Sequence, residues 1–421
     1  MSGERPFRPH ATSLVVAMLS LIVGVEFFHR QLLAIALPDI QRDLGIADGE
    51  AGALLMAFAL AYLVVALILG RLADRRSQSE IYTLSLLVWS GGTALGALAA
   101  GYAGFGLTRA VVGAAQGGAG AVNAPLVADY VGPDRRGTAM GVVGIGGTFG
   151  SMLGLALGGY WVASFGWRET FVLGGAVGAV FALFFRAIVK EPPRGWSEGR
   201  PPPARHPGLR EVLGTLAGLR TLRHLATAAV LASMAIMATA QWGPAFFDRV
   251  HGLPPEEAGV FMGVIALLGT IGPVAGGILT DRLWAKRPGA ALRMSGICAA
   301  LACPAAIVAV QTDRLWLAAA AFTVSVILGI IHAAQIGAVS QALVPVSMRG
   351  VTAAVLAATL TAFGFGIGPF VTGLLSDLAG GDAHGLRLAL TGMSLFYAWA
   401  AVHFEWASRS LEEELSRAGQ P

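Results

Sequence analysis

The sequence predicts an all-α membrane protein with twelve transmembrane helices arranged as two pseudo-symmetric six-helix bundles. Three observations lead to this prediction: the chain is 55% hydrophobic, only 13% of its residues are charged, and its apolar runs have membrane-spanning length. An ordinary soluble domain carries about 25% charged residues, so a soluble globule of 421 residues would lack the polar side chains to cover its surface. The composition excludes a soluble multidomain protein, a disordered chain and a nucleic-acid binder.

Twelve apolar runs reach the length of about 20 residues that one crossing of a bilayer needs. The long polar stretch from Lys190 to Arg223 follows the sixth run and is rich in proline, so we expect an exposed linker there. The prediction is an N-terminal bundle over 1–190, a cytoplasmic linker over 191–221 and a C-terminal bundle over 222–421. The apolar runs, in order, are 12–36, 50–70, 80–101, 104–128, 137–163, 168–190, 222–247, 256–280, 291–310, 314–342, 350–377 and 386–407.

The basic residues predict which side of the membrane each loop occupies. With both termini in the cytoplasm, most of the 29 Lys and Arg residues fall in cytoplasmic loops or in the linker. This asymmetry accounts for the net charge of +4 without an anionic macromolecular partner. Short loops and an Arg- and Ala-rich composition indicate the inner membrane of a bacterium. The loops assigned to the outside hold Arg42, Arg168, Arg249, Arg314 and Arg387.

No motif of a membrane enzyme or of a metal site occurs in the chain. The His-Glu-x-x-His and Gly-x-Ser-x-Gly patterns are absent, and the two cysteines, Cys298 and Cys303, have no metal-ligand partner at a useful spacing. A receptor or a channel would be expected to add a sensing domain or a repeated pore loop, and neither is found. We therefore expect no cofactor, no metal and no nucleic-acid partner, and a monomeric protein.

Two short patterns recur at equivalent positions in the two halves of the chain. The segment Gly70–Arg75 after the second run returns as Gly277–Arg282 after the eighth, and Arg136-Gly137 returns as Arg349-Gly350. Two halves of six helices in the same orientation form a parallel repeat, which is typical of secondary transporters. The recurrence therefore predicts a transporter.

Ionisable residues within the first run predict a polar site inside the membrane. An arginine at the bilayer centre costs about 2.5–3.5 kcal/mol, so Arg30 must face polar surroundings rather than lipid. Glu26 lies four residues before Arg30, where the two side chains can pair along one helix face, and His29 adjoins the same stripe. We expect Glu26 or His29 to bind the transported proton. A structural ion pair that lines a water-filled vestibule is the alternative.

The fourth run carries three polar residues at seven-residue intervals, Arg109, Gln116 and Asn123, which share one helix face. We expect this face to line a central cavity beside the first helix, although hydrogen bonding between helices would explain Gln116 and Asn123 equally well. Glu26 balances one of the two buried arginines and leaves one cation over. Arg30 and Arg109 are therefore predicted to clamp an anionic group of the substrate, a phosphate or a carboxylate.

The C-terminal half has no charge deep within its apolar runs. Its candidates for substrate contact are Gln241 and Trp242 in the seventh run, and His332 and Gln335, three residues apart on one helix face, in the tenth. Packing or hydrogen bonding within the bundle is the alternative for each of them. The contrast between a charged half and a weakly polar half suits an amphipathic substrate.

Several motifs resemble those of the major facilitator superfamily. The loop Gly70–Ser77 resembles the superfamily signature between helices two and three, with Gln78-Ser79-Glu80 in place of the usual basic cluster. Finer motifs resemble the Spinster-like branch, and the resemblance covers essentially the whole chain. These motifs are Leu37–Ile46, Ala128–Tyr130 with Asp134–Gly137, Phe165–Arg168, Leu343–Pro345 with Met348-Arg349, and Gly368-Pro369 with Gly373–Asp377.

The resemblance implies a secondary active transporter that works by alternating access and moves lysolipids or similar amphipathic anions, often coupled to protons. Spinster-like proteins carry acidic residues where this chain has His29 and Gln116, whereas their arginines match Arg30 and Arg109. A proton-coupled symporter of small organic anions is the alternative within the superfamily. The expected partners are the substrate, protons and membrane lipids. The resemblance also implies a cytoplasmic charge latch, with gating residues at Asp74, Arg75, Asp129, Asp281 and Arg282.

Glycines recur every four residues in the fifth run and predict close contact between this helix and another. They are Gly146, Gly150, Gly154 and Gly158. Their spacing also resembles the antiporter motif of the superfamily, in which proline stands at the position of Leu155. Packing is the interpretation that we prefer for these glycines.

Overall fold

The computed structural model describes residues 12–72, 76–193, 195–198, 209–284, 287–345 and 348–417, and every regular element in these ranges is helical. The helices are α1 (Thr12–Leu44), α2 (Asp48–Leu72), α3 (Gln78–Gly96), α4 (Tyr102–Tyr130), α5 (Pro133–Phe165), α6 (Trp167–Ile188), α7 (Leu209–Gly218), α8 (Arg220–His251), α9 (Pro255–Gly269), α10 (Ile271–Trp284), α11 (Pro288–Gln311), α12 (Leu315–Ile330), α13 (Ala333–Leu343), α14 (Arg349–Leu360), α15 (Gly368–Leu378) and α16 (Ala383–Arg417).

These helices give the twelve predicted crossings. The first six are α1 to α6, and α8, α11 and α16 are each one crossing. Each of the other three is built from two consecutive helices: α9 with α10, α12 with α13, and α14 with α15, which a π-helical turn at Thr361–Ile367 joins. Within the described ranges, ten crossings are long and apolar enough to be recognised as membrane spans by composition alone. The other two, α3 and α4, are shorter or richer in Gly and polar residues.

Two predicted boundaries are wrong because a helix continues where its apolar run stops. Helix α1 extends through Pro38 to Leu44, and it buries Ile40 and Gln41 in its last turns. Helix α16 extends to Arg417 and still buries Leu411 and Leu415 on one side. Both ends are amphipathic, so a search for continuous apolar sequence ends too early.

The predicted linker contains a helix that buries part of its surface. Helix α7 lies within it, and Val212 belongs to the core formed by α8, α11 and α16. A 3₁₀ turn at Trp196–Glu198 is also present. The interpretation of residues 191–221 as an exposed segment is therefore wrong for α7. Leu209, Val212 and Leu216 recur at helical spacing, and this signal was outweighed by the surrounding prolines.

The chain divides into two compact units. One contains α1, α2 from Ala57 onward, α3 to α6 and the start of α9 at Pro255–Gly263. The other contains the first turns of α2 at Ile46–Met56, then α7, α8, the rest of α9 and α10 to α16. The boundary between the units thus also passes through α2 and α9, in addition to the linker.

The glycines of α5 hold that helix directly against α1. A Cβ atom added at Gly146 would lie 1.8 Å from the carbonyl oxygen of Ser20, and one at Gly150 would lie 1.9 Å from that of Gly24. These distances are far below contact, so no larger residue fits at either position. The predicted packing role of the glycine ladder is confirmed. The contact fixes the backbone of α1 next to the residues that carry its charges.

Helix α2 approaches α4 in the same way. A Cβ atom at Gly113 would lie 2.1 Å from the carbonyl oxygen of Phe58, and one at Gly117 would lie 2.3 Å from that of Tyr62. Because α4 has no side chains at these two positions, the backbone of α2 comes close to it. The aromatic rings of Phe58 and Tyr62 are thereby placed beside α1.

Candidate functional site

Arg30 lies at the centre of a nearly buried polar cluster in the N-terminal unit. Its guanidinium donates through Nη2 to the Glu26 carboxylate and through Nε to Gln116 Oε1, at 2.9 Å in the second case. The side chains of Arg30 and Glu26 are only 7% and 8% exposed, and Gln116 is fully buried. The predicted ion pair along α1 is confirmed, and Gln116 on α4 joins it.

Aromatic rings enclose the same guanidinium. The Arg30 Cζ atom lies 4.9 Å from the ring centre of Phe27, 5.5 Å from that of Phe58 and 5.4 Å from that of Tyr62. Such contacts stabilise a cation where water is scarce. Phe58 and Tyr62 were missed from the sequence, although their spacing of four residues on α2 and the facing glycines of α4 are signals that could have found them.

His29 lies outside this cluster. Its Nδ1 atom is 2.7 Å from the carbonyl oxygen of Val25, and its ring packs against Phe28 and Trp89. A Cβ atom at Gly178 of α6 would lie 2.9 Å from its Cε1 atom. The expectation of one shared cluster is wrong, because His29 faces α3 and α6 whereas Arg30 faces α2 and α4.

Arg109 is also separate from Arg30. Its guanidinium donates to the carbonyl oxygen of Gly92 at 3.3 Å and lies 4.9 Å and 5.0 Å from the ring centres of Phe105 and Phe171. It is 3% exposed, and in the part of the chain that the structure describes no carboxylate forms an ion pair with it. The two arginines share no contact residue.

These contacts correct the predicted stripe on α4. Gln116 does turn toward α1, but the long side chain of Arg109 bends toward α3 and α6, where Gly96 leaves room for its Nη2 atom. Helical spacing fixes the direction of Cβ and not the position of a guanidinium four bonds further out. A single anionic group held jointly by Arg30 and Arg109 is not supported by this arrangement. Asn123, the third member, is partly exposed.

In the C-terminal unit the candidate residues take part in packing. Trp242 Nε1 donates to the carbonyl oxygen of Pro369 at 2.9 Å, next to Gln241, which is 2% exposed. His332 Nδ1 is 2.8 Å from the carbonyl oxygen of Gly329. With its amide turned to satisfy its neighbours, Gln335 donates to two backbone carbonyls and accepts from the Thr280 hydroxyl at 2.8 Å.

His332 and Gln335 do not share the helix face that their spacing predicts. Helix α12 ends at Ile330 and α13 begins at Ala333, so His332 lies in the break between them. Its ring packs against Phe404 of α16, with ring centres 5.3 Å apart. The three-residue rule holds only within a continuous helix, and nothing in this apolar run of sequence marks the break.

Among the predicted gating residues, Asp74 and Arg75 lie outside the described residues. Asp129 is almost buried at the end of α4, and its Oδ1 atom accepts a hydrogen bond from the backbone N–H of Gly195 at 2.9 Å. It thereby holds the segment that follows α6. Asp281 and Arg282 are exposed near the end of α10.

A second buried charge cluster was missed from the sequence. Asp48, 2% exposed at the start of α2, receives two hydrogen bonds from the Arg249 guanidinium at 2.6 and 2.7 Å and one from the Ser376 hydroxyl at 2.6 Å. The Asp377 carboxylate in turn accepts from the backbone N–H groups of Asp48 and Gly49 at 3.0 and 2.7 Å. Arg249 had been counted only as a loop charge, because its partner lies 201 residues away in sequence.

Twelve crossings in two repeated halves, with a buried ion pair on the first helix, define a membrane transporter rather than an enzyme. The chain belongs to the Major Facilitator Superfamily, whose family model matches residues 19–369. It is a multi-pass membrane protein. Within the described residues, no group of three or more His, Cys, Asp or Glu side chains could hold a metal ion.

Three similar proteins illustrate the relationship. The chain is 29% identical over 381 residues to an MFS-type efflux pump of Mycolicibacterium smegmatis, which covers 88% of this chain and 85% of the relative. It is 26% identical over 274 residues to a hexuronate transporter of Bacillus subtilis, 65% of each chain. The fold matches the crystal structure of a bacterial homolog of the human lysosomal transporter Spinster with a TM-score of 0.85, at 24% identity over 98% of this chain and 99% of that one. The predicted resemblance to the Spinster-like branch is confirmed.

Proposed function

We propose that this protein is a secondary active transporter that works by alternating access and moves an amphipathic anion, a lysolipid or a similar molecule, together with a proton. The observation that carries the proposal is the position of Arg30, which is nearly buried, paired with one carboxylate and enclosed by three aromatic rings. A cation kept at this depth in a transport protein is functional by default.

Competition for Arg30 supplies the coupling. When Glu26 is ionised, its carboxylate neutralises the guanidinium, and an incoming anion must displace it. When Glu26 is protonated, the guanidinium has a full charge to offer to a phosphate or a carboxylate. Proton and anion therefore favour each other's binding, and their joint uptake adds no net charge to the buried site. The expected result is cotransport of one proton with each negative charge.

The surroundings of Arg30 favour a substrate with an apolar part. Phe27, Phe58 and Tyr62 offer ring surface next to the charge, which suits an acyl chain or its glycerol end more than a strongly hydrated sugar. The likeness to Spinster-type proteins supports the same class of substrate. Gln116, which holds Nε of Arg30, is proposed to orient the guanidinium for the headgroup.

Cotransport of small organic anions is the second candidate, and the similarity to a hexuronate transporter favours it. The same Glu26 and Arg30 chemistry would serve a sugar carboxylate. A thermal-shift screen of the purified protein with lysophosphatidylglycerol and with D-glucuronate discriminates the two. Stabilisation by the lysolipid alone supports the first proposal, and stabilisation by glucuronate alone supports the second.

The remaining roles complete the proposal. His29, Arg109, Asn123 and the C-terminal candidates are assigned to packing, and Asp129 to gating through the segment that it holds. Both termini are placed in the cytoplasm, in the inner membrane of a bacterium, because of the distribution of basic residues. The working unit is a monomer.

Transport by proteoliposomes tests the proposal. Uptake of the ligand that the screen identifies is measured with and without an imposed pH gradient, for the wild type and for Arg30→Gln. We expect the gradient to drive uptake by the wild type and expect no uptake by Arg30→Gln. Uptake by Arg30→Gln at the wild-type rate would overturn the role of Arg30, and uptake indifferent to the gradient would overturn the proton coupling.

A further inference from the structure

A groove runs along the outer surface of the C-terminal unit between α11 and α16. Its volume is about 550 Å³. The floor is made of small or ring-shaped residues, and the exposed indole of Trp406 stands at its side, packed on the rings of His403 and His224. Small side chains on both helices create the depression. The lining residues are Ala300, Cys303, Pro304, Ala398, Ala401, Val402, Glu405, Trp406 and Arg409.

One end of this groove is charged, and its charges do not balance. The Glu405 carboxylate accepts hydrogen bonds from Arg293 Nε at 3.0 Å and from Arg409 Nε at 2.9 Å. Two guanidinium groups thus share one carboxylate, which leaves a surplus of one positive charge. Arg293 and Arg409 are 59% and 68% exposed, so both can reach a further anion.

The dimensions of the groove fit one leaflet of a bilayer. From Arg409 to Ala398 the lining of α16 spans about 16 Å of helix axis, close to half of the ~30 Å hydrocarbon core. The rest of the lining is apolar, and the charged end lies toward the end of α16, where the membrane meets water. A lipid with its headgroup at the arginines would extend one acyl chain along the whole length.

We propose that this groove is a binding site for an anionic phospholipid of the surrounding membrane, distinct from the site around Arg30. The phosphate of the headgroup binds Arg409 and Arg293, and one acyl chain lies against Pro304, Ala398 and Val402. Arginine forks match phosphate oxygens in pairs, and basic pockets between transmembrane helices are recognised lipid sites. A zwitterionic lipid fits the trough equally but gains less at the charged end.

Native mass spectrometry of the full-length protein in detergent tests this proposal with dioleoyl-phosphatidylglycerol and dioleoyl-phosphatidylcholine as probes. We expect the wild type to bind the glycerol lipid several-fold more tightly than the choline lipid. Arg409→Gln should weaken binding of the glycerol lipid about five-fold and leave binding of the choline lipid unchanged. Ala398→Phe, which fills the trough at an exposed position, should weaken both.

Two matched controls locate the effect. Arg417→Gln removes the same charge from the same helix outside the groove, and Arg30→Gln alters the proposed substrate site; both should bind the glycerol lipid as the wild type does. Equal binding of the two lipids by the wild type, or an equal loss in Arg417→Gln and Arg409→Gln, would overturn the proposal. Unchanged binding in Ala398→Phe would overturn the placement of the acyl chain, and a loss confined to Arg30→Gln would assign the lipid to the substrate site.

Discussion

Replacement of Glu26 by glutamine is the perturbation that most directly separates the proton from the substrate. The amide has nearly the shape of a protonated carboxyl group and can still accept a hydrogen bond from Arg30. It removes only the negative charge that competes with the substrate. We therefore expect Glu26→Gln to bind an anionic substrate in a way that no longer depends on pH.

The magnitude follows from the environment of the ion pair. An exposed pair contributes about 1 kcal/mol or less, and a pair at an effective dielectric constant near 20 has a gross attraction of about 4 kcal/mol. With side chains 7% and 8% exposed, the Glu26–Arg30 pair falls between these limits. We expect the variant to bind the anion about 10- to 100-fold more tightly than the wild type at alkaline pH, where Glu26 is ionised.

Titration calorimetry with lysophosphatidylglycerol between pH 6 and 8.5 measures this effect, because the phosphodiester stays ionised throughout the range. In the wild type, Kd should rise up to about tenfold per pH unit once Glu26 is ionised, since each binding event then takes up one proton. His29→Gln is the control and should keep this slope. A slope that survives in Glu26→Gln, or is lost in His29→Gln, would refute the reasoning.

Three further predictions concern the scaffold. Arg109→Gln should lower the melting temperature through the loss of two ring contacts, worth about 0.5–2 kcal/mol each, while Kd for lysophosphatidylglycerol stays within about twofold; a large loss of affinity would restore Arg109 to the binding site. Asp48→Asn should cost about 2–3 kcal/mol because it leaves Arg249 without its buried partner, and thermal melting should show Asp313→Asn, at an exposed pair, to be nearly neutral. Gly150→Leu should prevent folding, as judged by size-exclusion chromatography, whereas Gly144→Leu, which meets nothing within 4 Å, should fold normally.

Features that depend on neighbouring positions in one helix were predictable from the sequence. The crossings follow from the length of apolar runs, and the pairing of Glu26 with Arg30 follows from their spacing of four residues. The contact made by Gly146 and Gly150 follows equally from their repeat, although the sequence does not name α1 as the partner. Each of these predictions uses geometry that a single helix fixes.

Features that depend on where a long side chain ends, or on distant partners, were not predictable. The stripe on α4 placed Arg109 correctly at Cβ and wrongly at its guanidinium, because the choice among rotamers is made by Gly96 and by the facing aromatic rings. The pairing of Asp48 with Arg249 joins residues that only the folded chain brings together. The break at His332 is decided by packing against α16.

The central claim is that Glu26 and an anionic substrate compete for Arg30, so that substrate and proton bind together. Proton uptake on binding measures this directly: lysophosphatidylglycerol is added to the purified protein in weakly buffered detergent solution at alkaline pH, and a pH indicator records the protons taken up. The account predicts up to one proton per anion bound by the wild type and none by Glu26→Gln. Binding without proton uptake by the wild type, or equal uptake by the variant, would contradict it.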